Sequence, residues 1–123
     1  AAGKPFHIRF SGEFALQHAS DVAEIFIGCA NAQATAARVC NLRNDVITVA
    51  DFTALLNDQY PDARITCEED TALPFPANLA GDGLVDLLGT VPHTPLDEAI
   101  EKDVAMYRKL LGEGKLTLDQ LSD

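Results

Sequence analysis

The stretch FALQHASDVAEIFIGCA, residues 14–30, decides how the chain folds. Phe14 to Gln17 alternates large and small side chains and reads as a short strand. Ser20 and Asp21 are both good N-cap residue types, placed just before an apolar-periodic run. A helix is therefore expected from Asp21 to about Ala32. Val22, Ile25, Phe26 and Cys29 form one face, and Ala23, Ile27 and Ala30 form another. Glu24 is the only charge between Asp21 and Arg38. A helix apolar on nearly every side must be covered on more than one side. Either it is the central helix of a small fold, or it docks onto something beyond these 123 residues. The second arrangement leaves Ala23, Ile27 and Ala30 as an open apolar patch.

Outward from this stretch, the pattern keeps changing period. FHIRF, 6–10, alternates Phe6, Ile8 and Phe10 against His7 and Arg9, the period of a half-buried strand. The turn signal Ser11-Gly12-Glu13 separates it from the second strand. ARVCNL, 37–42, reads as a strand. Thr48 with Asp51 three residues on is a variant capping box that opens a helix, and Pro61 stops it. ARITC, 63–67, reads as a further strand, 68–82 as a loop with two prolines, and 83–89 as a short helix ended by Gly89. Thr94 as cap, Pro95 at the first helical position, and Asp97 and Glu98 in the first turn predict a helix to Gly112. The tail, about 113–123, is expected to be flexible. The order ββαβαβ plus helices predicts one α+β (incomplete α/β) domain over 1–123, a small mixed sheet with packed helices.

Composition sets limits on function. The chain has 9 Lys+Arg against 19 Asp+Glu, a formal charge of −10. Nucleic acid and anionic membranes need a basic face, so neither is an expected partner. A chain of this length is expected to bury roughly two-thirds of its unfolded surface without a disulfide. Cys29, Cys40 and Cys67 are widely spaced, with no CxxC or CxxH pair, and read as small hydrophobes in a reducing compartment rather than a metal set. With no membrane-length apolar run and no signal-peptide pattern, the expected location is cytoplasmic.

ALQHASDVAEIFIGCANA resembles a segment of the extended short-chain dehydrogenase/reductases, the NAD-dependent epimerase/dehydratase family. VCNLRNDVITVADFTALL and LLGTVPHTPLDEAIEKDVAMYRKL resemble two later family segments, in the same order. Together the three span roughly residues 5–116. The resemblance implies a carboxy-terminal, substrate-binding portion that lacks its Rossmann half. Neither a GxxGxxG turn nor a Tyr-x-x-x-Lys pair occurs in the 123 residues. The dinucleotide turn needs glycines for close approach to the pyrophosphate. The expectation is therefore no catalytic residue, no metal and no cofactor in this chain, with NAD or NADP in the parent enzyme. The implied partners are a small-molecule substrate and the missing Rossmann domain, with a homodimer as a further arrangement. The competing reading is a stand-alone, non-catalytic ligand-binding or protein-interaction module.

The substrate-binding candidates are Arg9, Gln17 and His18. The resemblance places the segment before Asp-Val-Ala along the substrate cleft. Arg9 points outward from an apolar strand and suits a carboxylate or phosphate. Gln17 stands where the family often has a bulky apolar residue, and His18 matches a family position directly. Asp21 is read as a helix cap and Asn41 as structural. His7 and His93 are read as isolated. Nucleotide-sugar members carry two arginines where this chain has Phe14 and Leu79-Ala80. Both would clamp a pyrophosphate, so the implied substrate is a smaller hydroxy acid or sugar derivative.

Overall fold

A computed structural model describes residues 1–121. It is an α+β fold in the order β1 (Phe6–Ile8), β2 (Glu13–Leu16), α1 (Ala19–Asn31), β3 (Asp45–Thr48), α2 (Val49–Gln59), β4 (Ile65–Cys67), α3 (Asp82–Leu88) and α4 (Leu96–Gly112). Short 3-10 turns at Pro61–Ala63 and Leu118–Leu121 complete it. The second lies in the segment expected to be flexible, whose last two residues, 122 and 123, fall outside the described residues.

The strands divide into two two-stranded sheets rather than one mixed sheet. β1 pairs with β4 in parallel, with His7 opposite Thr66. β2 pairs with β3 antiparallel, with Phe14 opposite Ile47. The division originates at Gly12. Its φ of +79° turns the chain between β1 and β2, and a Cβ there would sit 3.2 Å from the Cβ of Ala72. Only glycine takes that backbone state without strain. The Gly12 carbonyl also accepts from the Val49 amide at 2.9 Å, which ties the turn to the start of α2.

α2 is the helix that the sequence describes best. The Thr48 hydroxyl accepts from the Asp51 amide at 3.0 Å and donates to the Asp51 carboxylate at 2.6 Å. Val49, at 1% exposure, is its most deeply buried residue, and Thr53 is also buried. The helix packs across β3 and β4. Asn57 continues the attachment by accepting from the Ile65 amide and donating to its carbonyl. Phe14 stacks edge-on between Phe10 and Phe52, at 5.8 and 5.5 Å. Phe14 is thus part of an aromatic cluster.

Three expectations fail here. The segment 37–42 forms no strand; the strand lies at Asp45–Thr48 instead. β2 pairs with β3 and β1 with β4, and neither sheet pairs with 37–42. Val39 is 98% exposed. Asp21 does not cap its own helix, and neither does Ser20. α1 begins at Ala19, His18 stands at the N-cap position, and no side chain caps it. Asp21 instead lies inside the first turn and turns inward, where its buried carboxylate accepts from the Thr94 amide at 2.6 Å and the Thr94 hydroxyl at 2.8 Å. Thr94, read as the cap of α4, is therefore a donor to α1, and Pro95 holds the N-cap position.

The core is small. Among the described residues the buried apolar side chains are Ile25, Val49, Leu84, Ala99 and Ile100. The folded chain exposes 8494 Å². A compact monomer of 13.2 kDa exposes about 6,400 Å². The excess is about 2,000 Å², and the chain buries somewhat over half of its unfolded surface instead of two-thirds. Several large apolar side chains are exposed. On α1, Phe26 and Ile27 are 66% and 63% exposed, and Ala23 and Ala30 are exposed beside them. Only one line of this helix is buried, through Ile25, with Gly28 against Leu88 of α3.

Candidate functional site

Two clefts adjoin where the end of β2, the start of α1, β3 and the approach to α4 converge. The inner cleft, of about 100 Å³, is lined by Gln17, His18, Asp45, Phe52, Thr94 and Asp103, with apolar neighbours. Its position follows from chain order. β2 ends at Leu16, so Gln17 and His18 occupy the two-residue step into α1. β3 begins at Asp45, directly opposite Leu16 in the ladder.

His18 is engaged at both ring nitrogens. Its Nδ1 lies 2.6 Å from the Ser20 hydroxyl and its Nε2 3.5 Å from the Asp103 carboxylate. With the proton on Nε2, the ring donates toward Asp103 and accepts from Ser20. The arrangement ties the start of α1 to α4. His18 therefore holds the cleft together. Gln17 is the opposite case. It is half-buried on the cleft wall, and its amide makes no hydrogen bond within the described residues. A half-buried amide with free donors and an acceptor suits a polar ligand. Arg9 lies on an exposed segment past the end of β1 and is not among the residues that line this cleft. The three candidates thus separate, with two together and Arg9 elsewhere.

Asp21 lies behind His18. Burial raises its pKa, but the two Thr94 hydrogen bonds and the nearby His18 and His93 outweigh burial, and the net shift is below the ordinary carboxylate value. It is ionised at neutral pH and serves as an anchor for the loop that enters α4.

The outer cleft, of about 300 Å³, is lined by Asn41, Arg43, Asn44, Asp82, Val91 and His93, among others. His93 Nε2 lies 3.0 Å from the Asp45 carboxylate. Since His93 lines one cleft and Asp45 the other, this pair is the wall between them. Neither His93 nor His7 is isolated: His7 meets Thr66 at 2.8 Å and Glu68 at 3.2 Å across the β1–β4 pairing. Asn41 donates to the Ala80 carbonyl at 3.1 Å, a structural role. Arg43 was not marked by any motif. Its Nη1 donates to Asn78 Oδ1 at 2.8 Å and to the Leu79 carbonyl at 3.3 Å. The only sequence signal for it was its place between two asparagines just after an apolar run.

Among the described residues, no group of three or more His, Cys, Asp or Glu side chains is arranged to hold a metal ion. No helix among them is long and apolar enough to cross a membrane. No protein-family model matches the chain, and no curated protein does.

Proposed function

We propose that this chain is the substrate-binding, carboxy-terminal part of an NAD(P)-dependent epimerase/dehydratase or oxidoreductase that acts on a small polar hydroxy acid or sugar-derived substrate. In this reading a dinucleotide-binding layer outside the 123 residues covers the open face of α1 and carries the catalytic tyrosine. The chain alone binds no NAD and turns nothing over.

The observation that carries the proposal is the excess of about 2,000 Å² of exposed surface for this mass, with Phe26, Ile27 and Val39 all turned outward. A standard interface buries about 800 Å² per partner, so the uncovered area is ample for a stable junction. The unpaired segment 37–42 follows directly behind the open helix. A helix followed by an apolar segment without a ladder partner fits a unit that adds to a neighbouring parallel sheet. The order of the three family-like segments favours a dinucleotide-binding sheet as that neighbour. Gln17 and His18 meeting in one cleft fits the side on which substrate would enter. The three free thiols, Cys29, Cys40 and Cys67, suit the reducing conditions of a cytoplasm.

The test begins with the gene. The reading requires a Gly-rich turn after a strand and a Tyr-x-x-x-Lys pair upstream of residue 1, and NAD binding by the joined protein. Calorimetric titration of the 123-residue chain with NAD and NADP should give no micromolar binding. Micromolar binding by the chain alone, or a gene without those motifs, refutes the proposal. The latter outcome favours a stand-alone module whose open helix face takes a protein partner.

A further inference from the structure

We infer that the outer cleft is a carboxylate site, with Arg43 as the residue that holds the acid group of the substrate. This deepens the proposed function, on which it rests for the word substrate, by assigning the charged end of the ligand to one place. Among the described residues Lys102, Lys109 and Lys115 pair with glutamates, and Arg43, like the other arginines, reaches no carboxylate. What sets Arg43 apart is that it both lines a cleft and is held by two neutral oxygens, Asn78 Oδ1 and the Leu79 carbonyl. These two bonds use one nitrogen and fix the plane of the guanidinium. Its other donors remain for a ligand, in a geometry that is set before binding. A planar guanidinium held this way matches a planar carboxylate by two parallel hydrogen bonds.

The surroundings select for size and polarity. A volume of about 300 Å³ is at the lower end for small-molecule pockets and suits a short acid rather than a nucleotide. Asn41 and Asn44 line it; their amide nitrogens donate to the Ala80 and Pro92 carbonyls, which leaves their Oδ1 atoms as acceptors for hydroxyls. His93 reaches from it to Asp45 in the inner cleft, so an acid bound at Arg43 lies beside the wall shared with Gln17. Asp82, exposed at the rim, opposes an anion and keeps the site weak.

The experiment is a chemical-shift titration of the 123-residue chain with sodium gluconate, with sorbitol as its neutral counterpart and inorganic phosphate as the alternative anion. Gluconate should bind at millimolar concentration with shifts at residues 41–44 and 78–82, sorbitol should bind at least about tenfold more weakly, and phosphate more weakly than gluconate. Arg43→Gln should weaken gluconate about tenfold, and Asp82→Asn should tighten it. Arg43→Gln also loosens the 78–80 loop, so Asn78→Asp serves as the second variant. It keeps Arg43, places a carboxylate on its Nη1 and should strengthen the loop while weakening gluconate. Equal binding of sorbitol, phosphate binding tighter than gluconate, no gluconate binding, or unchanged binding in Asn78→Asp overturns the inference. A gene that lacks the dinucleotide layer removes the proposed function and leaves an Arg43-dependent carboxylate site standing. A gene that has it, with no Arg43 dependence, does the reverse.

Discussion

Replacing Asp21 tests how the fold is held together. The carboxylate is 5% exposed and accepts two hydrogen bonds from Thr94, a residue 73 positions away. Hydrogen bonds to a charged group contribute about 1.5–3 kcal/mol each, and two that share one acceptor group are not additive. Asp21→Ala also leaves the Thr94 amide short of its partner. We expect a loss of about 3 kcal/mol, and at about 4 °C per kcal/mol for a chain of this length, a fall in Tm of about 12 °C. Thr94→Val removes only the hydroxyl donor and should cost about half as much. The pH dependence has a definite sign. The folded pKa is lowered, so the contribution is complete above the unfolded value near 3.9 and is lost as pH falls through it and then through the folded value. Asp21→Asn should therefore differ most from the parent chain at pH 7 and least once the pH has fallen below the folded value. Thermal melts by circular dichroism of both single variants and the double variant, at several pH values, measure all of this. If Asp21 capped its own helix, asparagine would replace it at almost no cost and the Thr94 effect would simply add. That result would refute the cross-chain anchor.

Thr48→Ala removes the side chain that accepts from the Asp51 amide and should lower stability by about 1 kcal/mol in a denaturant titration. Thr53→Val should be neutral or raise Tm by a few degrees, because the Thr53 hydroxyl is buried with no hydrogen-bond partner among the described residues. Phe26→Asp with Ile27→Asp should leave the Tm of the isolated chain within a few degrees and reduce its self-association in sedimentation velocity, since both side chains are exposed. In a joined protein whose second layer covers α1, the same pair should cost several kcal/mol, at about 1.5–3 kcal/mol for each large apolar side chain removed from a buried junction.

Local chemistry was legible where it acts alone. The Thr48-Asp51 cap, the Pro61 stop, the Gly89 end of α3 and the last helix all follow from neighbours in sequence. Partner choice was not legible. Periodicity marked 37–42 as a strand, but a strand also needs a neighbour to pair with, and the segment pairs with neither β1–β4 nor β2–β3. Asp21 shows the same limit in a polar group. Its type and position suit a cap, yet a free donor at Thr94 competes for it through space, and no local rule contains that donor. Gln17 and His18 line one cleft because they are neighbours in the two-residue step from β2 into α1. Arg43 and the His93–Asp45 pair were missed because they come together only when β3 and the loop before α4 fold side by side. The open face of α1 was readable in outline, since too few elements were available to cover it.

The central claim is that α1 and the segment behind it belong to a layer that these residues do not supply. Amide hydrogen exchange across residues 22–31 and 37–43 tests it directly, measured on the isolated chain and on the complete gene product. The account predicts exchange at nearly unprotected rates for 37–43 in the isolated chain, and strong protection of 37–43 with slower exchange along α1 in the complete protein. Rates for 37–43 that stay fast in the complete protein would contradict it.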